Sequence, residues 1–136
     1  MSKRRRIFSW ILQGLLAVAF VLIGSSKYSS EAWHQNFTRW GYPPAFLELV
    51  ATAEVLLGLG ILVPTTCRAA AAGIIVIMAG AAATHLRAGE PPLHLLGPLL
   101  CATLAVGVWI LRKVQRRASE PEPEEFSPPS LDSPRG

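Results

Sequence analysis

The run between Pro44 and Pro64 constrains this chain most, because it is apolar over a membrane's thickness yet carries a carboxylate, Glu54, near its middle. About 20 apolar residues span the roughly 30 Å hydrocarbon core of a bilayer. An ionised carboxylate at that depth costs on the order of 3 kcal/mol on insertion scales, so it is usually paired, protonated or turned towards a cavity. The run therefore predicts a membrane helix with a polar site at Glu54.

Three more apolar runs occupy residues 7–26, 69–87 and 93–111. A hydrophobic content of 51% is too high for an ordinary soluble domain, and 136 residues are too few for two domains. Short connections make successive helices antiparallel neighbours. We therefore predict an all-α membrane protein, a four-transmembrane-helix bundle over residues 7–117 that follows a basic cytoplasmic leader, residues 1–6. The first run also fits a signal peptide, but its length favours an uncleaved first span.

A short interfacial helix is predicted between the first two spans, over residues 30–41. Ser30 is a suitable N-cap, and Gly41 is a suitable stop. Trp33, Phe37 and Trp40 follow at helical spacing and share one face, a pattern typical of a segment in the headgroup region. The same face could instead cap the bundle by packing on the helix ends, or act as a lid over a substrate.

The charge distribution predicts orientation and a tail. Residues 1–117 contain twelve Lys and Arg against four acids, whereas residues 118–136 contain five acids and one Arg. Nine basic residues flank one side of the four-span arrangement and three, Lys27, Arg39 and Arg87, flank the other, which predicts cytoplasmic N- and C-termini. Residues 118–136, rich in Pro, Ser and Glu, are predicted to be a disordered cytoplasmic tail. This pattern indicates a membrane protein and not a nucleic-acid-binding protein.

The remaining ionisable groups gather at the outer side of the predicted bundle. Side chains lean towards the N-terminus of their helix, so Glu54 leans outwards while Lys27, His85 and Arg87 lean inwards. These four residues form the predicted polar membrane site. Glu54 could be a structural carboxylate bonded to Thr84, His85 or Arg87, a ligand or proton site, or a protonated group facing lipid.

The sequence contains no arrangement that indicates catalysis. It has no CxxC, Walker or GxGxxG motif and no recognisable Ser-His-Asp set. Cys67 and Cys101 are interpreted as small apolar residues. His85 and His94 alone are too few for a metal site. We therefore predict no metal and no catalytic residue, which favours a chain that is not an enzyme on its own without deciding the question.

Several short strings together resemble the DoxX-like membrane proteins. They are GSSK at 24–27, RWGYPP at 39–44, AEVLLGLGILVP at 53–64 and THLRAGEP at 84–91, and the resemblance covers about residues 7–112. It implies a four-helix multi-pass protein of the bacterial cytoplasmic membrane, with Lys27, Glu54, His85 and Arg87 as the positions of interest. Relatives have been tied to a quinone-linked oxidoreductase, to membrane redox complexes and to membrane-protein assembly.

The resemblance leads to a functional hypothesis, a non-catalytic membrane subunit of a redox or quinone-linked complex. Its polar site would touch a quinone headgroup or a partner, with no other cofactor expected. A small-solute or proton transporter that uses Glu54 is one alternative. A membrane-protein assembly factor that uses the aromatic face of the interfacial helix is another. The expected surroundings are the lipid bilayer, a possible membrane redox complex and a possible second copy in a homodimer.

Overall fold

The computed structural model describes residues 2–121, which form helices and no strand. The five α-helices are α1 (Lys3–Ser29), α2 (Glu31–Arg39), α3 (Pro44–Gly60), α4 (Cys67–Arg87) and α5 (Leu96–Ser119), and a 3₁₀ helix (Pro92–Leu95) precedes α5. The all-α prediction is confirmed for this part of the chain.

Three helical segments are long and apolar enough to cross a bilayer: α1, α4, and the 3₁₀ helix together with α5. Helix α3 has 17 residues, the lower end of the roughly 17 to 25 that span a bilayer. It forms a pair with α2 that is bent by 120°, and counting this pair as one span brings the total to four. The described residues thus contain three to four candidate spans.

The long helices pack as two pairs. Helix α1 packs mainly on α3 and α4 mainly on α5, while contacts of α1 with α5 and of α3 with α4 join the pairs. Leu16, Ile61, Ile74 and Val108 are fully enclosed where the pairs meet. Large apolar side chains such as Val76, 70% exposed, cover the outer faces of all four long helices. Helices that are apolar on all sides are typical of membrane spans or of the cores of large proteins.

Two glycines bring α1 and α3 into close contact. A Cβ atom on Gly24 would lie 3.0 Å from the carbonyl oxygen of Ala51 and 3.0 Å from the Cβ atom of Glu54. A Cβ atom on Gly58 would lie 3.0 Å from the Cβ atom of Phe20. Small residues at such crossings let helix backbones approach in lipid, where packing drives association. Gly80, in the alanine-rich α4, makes no such contact.

Near the start of α1, at the other end of this helix from Gly24, a buried polar contact joins α1 to α5. Gln13 is fully buried and donates from Nε2 to the hydroxyl and the carbonyl of Ser9, at 2.8 and 3.0 Å. Its Oε1 accepts a hydrogen bond of 2.9 Å from Arg112 Nη2. The guanidinium of Arg112 also lies 5.0 Å from the centre of the Trp10 ring. This contact satisfies a buried amide that would otherwise be costly.

The helix boundaries differ from the predicted ones in ways that have local causes. Helix α1 begins at Lys3, within the predicted leader, because the Ser2 side chain accepts a 3.4 Å hydrogen bond from the Arg5 amide. Helix α3 ends at Gly60 and a series of turns follows. Helix α5 continues to Ser119, past the predicted start of the tail at 118. The rest of the predicted tail, from residue 122, lies outside the described residues.

Candidate functional site

A buried ion pair joins α1 to α3. Lys27 lies near the end of α1, and Glu54 lies in the middle of α3, about 15 Å along its helix from Pro44. Lys27 Nζ is 2.6 Å from Glu54 Oε2, and the two side chains are only 4% and 5% exposed. The Trp33 ring lies 4.1 Å from the same ammonium, a cation–π distance. Among residues 2–121, Glu54 Oε1 accepts no hydrogen bond, and Lys27 donates one only to Glu54.

This ion pair lines a cavity of about 350 Å³ between the two helix pairs. Its lining comes from all five α-helices and is mostly apolar, with Phe20, Phe46, Met78 and Cys101 among the contributors. Its volume lies at the lower end of the roughly 300 to 1,000 Å³ range of small-molecule sites. An apolar cavity with a few polar groups is the usual form of such a site.

The aromatic face of α2 closes one end of this cavity. Trp33, Phe37 and Trp40 all line it, and Phe37 is only 6% exposed. The Phe37 ring contacts Trp40, Tyr42 and Phe46, with ring centroids 5.3 to 6.2 Å apart. The aromatic spacing thus corresponds to a helix that packs over the bundle, with its three aromatics turned inwards.

A glycine turn places a second polar cluster beside the cavity. Helix α4 ends at Arg87, and Gly89 follows with φ of +67°, a conformation that glycine adopts without strain. The Glu90 amide donates to the His85 carbonyl at 3.1 Å, which folds Glu90 back over the last turn of α4. As a result, Glu90 contacts both His85, which lines the cavity, and His94 in the 3₁₀ helix.

Glu90 is the centre of this cluster. Its Oε1 accepts hydrogen bonds from Trp40 Nε1 at 2.8 Å and Arg39 Nη2 at 2.7 Å. Its Oε2 contacts Nδ1 of His85 and lies 2.9 Å from Nδ1 of His94. The contacts with His94, Trp40 and His85, in that order of effect, lower the pKa of the Glu90 carboxyl to about 2. The side chain is therefore an anion at any physiological pH.

Arg87 has a different place from the other predicted site residues. Its Nη2 donates to the carbonyl of Trp40, at the end of α2, at 2.8 Å, and its guanidinium lies 5.2 Å from the Tyr42 ring centre. The Tyr42 hydroxyl in turn bonds to Thr84 Oγ1 at 2.7 Å. Arg87 thus fastens the link between α2 and α3 to α4, outside the cavity.

The predicted polar site is therefore divided between two places. Lys27, Glu54 and His85 line one cavity, and Arg87 does not. The suggested partners of Glu54 on α4, which were Thr84, His85 and Arg87, are replaced by Lys27 on α1. The alternative in which Glu54 faces lipid is wrong, because its side chain is only 5% exposed.

A family comparison covers most of this structure. The DoxX-like family model matches residues 11–108, which include the ion pair, the cavity lining and the Glu90 cluster. The chain belongs to the DoxX-like family. No curated protein and no solved structure matched it.

In this DoxX-like chain, sequence reasoning missed the role of Glu90. A signal was present, because glycine directly after a helix with basic last-turn residues favours a turn that returns the next residue over that helix. Arg87-Ala88-Gly89-Glu90 fits this pattern. Reading Glu90 as the residue after that turn would have placed it over His85, and His94 follows four residues later.

Proposed function

We propose that this chain is a non-catalytic, four-pass subunit of a quinone-linked redox complex in the bacterial cytoplasmic membrane. In this arrangement α3, extended by the turns that follow it, is the remaining span, and α2 lies over the bundle at the interface. Both termini are cytoplasmic, as the distribution of basic residues favours. The cavity would take the headgroup of the quinone.

The observation that carries the proposal is a buried ion pair that lines an apolar cavity with aromatic walls. Quinone headgroups are flat and apolar, with carbonyl oxygens that accept hydrogen bonds. Trp33, Trp40 and Phe46 supply flat surfaces, and Lys27 has ammonium hydrogens left after its bond to Glu54. His85 is a second polar group on the lining. A buried ion pair also gives the ligand a fixed polar contact in an otherwise apolar site.

The two alternatives have less support from the same contacts. A proton transporter needs Glu54 to exchange a proton during its cycle, but the carboxylate is bonded to Lys27 at 2.6 Å and its side chain is only 5% exposed. An assembly factor that binds partners through Trp33, Phe37 and Trp40 needs that face to be accessible. The face lines the cavity instead.

Cavity filling is the sharpest test of the proposal. Ala81 lines the cavity from α4, whereas Ala83, two residues away, is exposed and does not line it. A short-chain benzoquinone should quench tryptophan fluorescence of the purified protein saturably, since Trp33 and Trp40 line the site. We expect Ala81→Leu to weaken this binding at least about tenfold and Ala83→Leu to leave it unchanged.

The outcome against the proposal is equally clear. Quenching that does not saturate, or that is the same in Ala81→Leu and Ala83→Leu, means that the quinone does not enter the cavity. A redox partner is tested separately by mild solubilisation of native membranes and mass spectrometry of proteins and lipids that copurify. Recovery of neither an oxidoreductase nor a quinone would overturn the subunit role.

A further inference from the structure

Three potential metal ligands converge beside the cavity. They are His85 at the end of α4, Glu90 after the glycine turn and His94 in the 3₁₀ helix, and their ligand atoms all lie within 4.8 Å of one another. Two imidazoles and one carboxylate are a ligand set that suits divalent transition metals, and zinc sites of this composition are common.

The contacts of Glu90 show how its two oxygens are divided. Oε1 is held by Trp40 and Arg39, both of which donate hydrogen bonds to it. Oε2 faces Nδ1 of both histidines. A carboxylate oxygen only accepts, so it must meet either a hydrogen on each Nδ1 atom or one metal ion shared by the two rings. Donors behind a ligating carboxylate are also what orients such ligands in metal sites.

The three ligands lie within ten consecutive residues, and backbone hydrogen bonds fix the turns between them. The Glu90 amide bonds to the His85 carbonyl at 3.1 Å, and the His94 amide bonds to the Pro91 carbonyl at 3.0 Å. The side chain of His94 is 48% exposed, whereas those of His85 and Glu90 are 18% and 8% exposed. Solvent therefore reaches the cluster from the His94 side, which gives an ion an entry path and an open coordination position.

We propose that His85, Glu90 and His94 bind one divalent transition-metal ion, with Zn²⁺ the best fit to the ligands. The metal takes the place of the ring protons at the two Nδ1 atoms, and each neutral imidazole then carries its proton at Nε2. Three protein ligands leave a fourth position for water or for a small anionic ligand. Mg²⁺ and Ca²⁺ are excluded by their preference for oxygen ligands.

Direct titration of the full chain in detergent tests the site. The protein should be prepared without a polyhistidine tag and stripped of metal with EDTA. Zn²⁺ binding is then measured by calorimetry, and Co²⁺ binding by visible absorption. We expect one saturable site per chain. His94→Ala and Glu90→Gln should each weaken it by at least about tenfold, because each removes one ligand.

His34 supplies the matched control, because it is a histidine of α2 whose Nδ1 faces the Ser30 carbonyl at 3.0 Å, away from the cluster. His34→Ala should bind Zn²⁺ as the unaltered chain does. Absence of saturable Zn²⁺ binding, or equal affinity in His94→Ala and His34→Ala, overturns the proposal. His94 is half-exposed, so its replacement leaves the fold intact, which a thermal melt of each variant checks. No quinone is present in these titrations, so their result is independent of the cavity's ligand.

Discussion

Lys27 and Glu54 form an ion pair of 2.6 Å that is enclosed between α1 and α3 and walled on one side by the Trp33 ring. Desolvation makes such a pair a weak contributor to stability, yet losing one partner leaves an uncompensated charge. The pair also lines the cavity, where the proposed quinone site would use it as a polar contact.

Removing one member of the pair should be more damaging than removing both. We expect Lys27→Met to lower the free energy of unfolding in detergent by about 3 to 5 kcal/mol, because Glu54 is left buried and unpaired. The double variant Lys27→Met with Glu54→Leu should recover most of this loss. Thermal unfolding followed by circular dichroism gives the comparison. If the double variant were as unstable as Lys27→Met, or if it lost the sum of the two single losses, the pair would be solvated, contrary to the structure.

The approach of α1 to α3 gives a prediction with a control in the same helix. Gly24→Ala places a methyl group 3.0 Å from the Ala51 carbonyl and the Glu54 Cβ atom, and should destabilise the protein by about 1 to 3 kcal/mol. Gly14→Ala meets nothing within 4 Å and should be neutral or slightly stabilising. Paired thermal melts measure both. A Gly24→Ala variant as stable as Gly14→Ala would contradict the close contact.

The polar contact at the other end of the bundle should respond to loss of its donor. Arg112→Met leaves Oε1 of the fully buried Gln13 without its α5 partner and should cost about 1 to 3 kcal/mol. Arg116→Met, one turn further and exposed, is the control and should change stability by no more than about 0.5 kcal/mol. Denaturant or thermal unfolding distinguishes them. Equal stability of the two variants would show that Gln13 finds another partner.

The indole protons report on the Glu90 cluster. Trp40 Nε1 donates to Glu90 at 2.8 Å, whereas Trp33 Nε1 donates to Ser26 Oγ at 3.1 Å. In metal-free buffer, Glu90→Gln should move the indole proton signal of Trp40 upfield, since a hydrogen bond to a charged acceptor becomes one to a neutral acceptor. The signal of Trp33 should stay in place. Nuclear magnetic resonance of the four indole signals measures this, and an unmoved Trp40 signal would refute the contact.

The positions of the long helices could be predicted from the sequence, because the lengths of apolar runs and the signals that end helices depend on local chemistry. The place of Glu54 in the middle of α3 followed from its position in the apolar run, and the aromatic spacing of α2 predicted one shared face. The partner of Glu54 did not follow, since it depends on how closely α1 and α3 approach, and Gly24 and Gly58 set that distance. Glu90 was missed as a centre because hydropathic periodicity says nothing about a side chain in a loop.

The division of the bundle into two packed pairs affects how related chains can diverge. The ion pair of the cavity comes from α1 and α3, and close backbone contact fixes the spacing of these two helices. The opposite wall of the cavity comes from α4 and α5, including Gly97 and Cys101. Substitutions on that second half can reshape the space without displacing the ammonium or the carboxylate. Related chains could therefore accept ligands of different shape while they keep the charged groups that would hold the ligand.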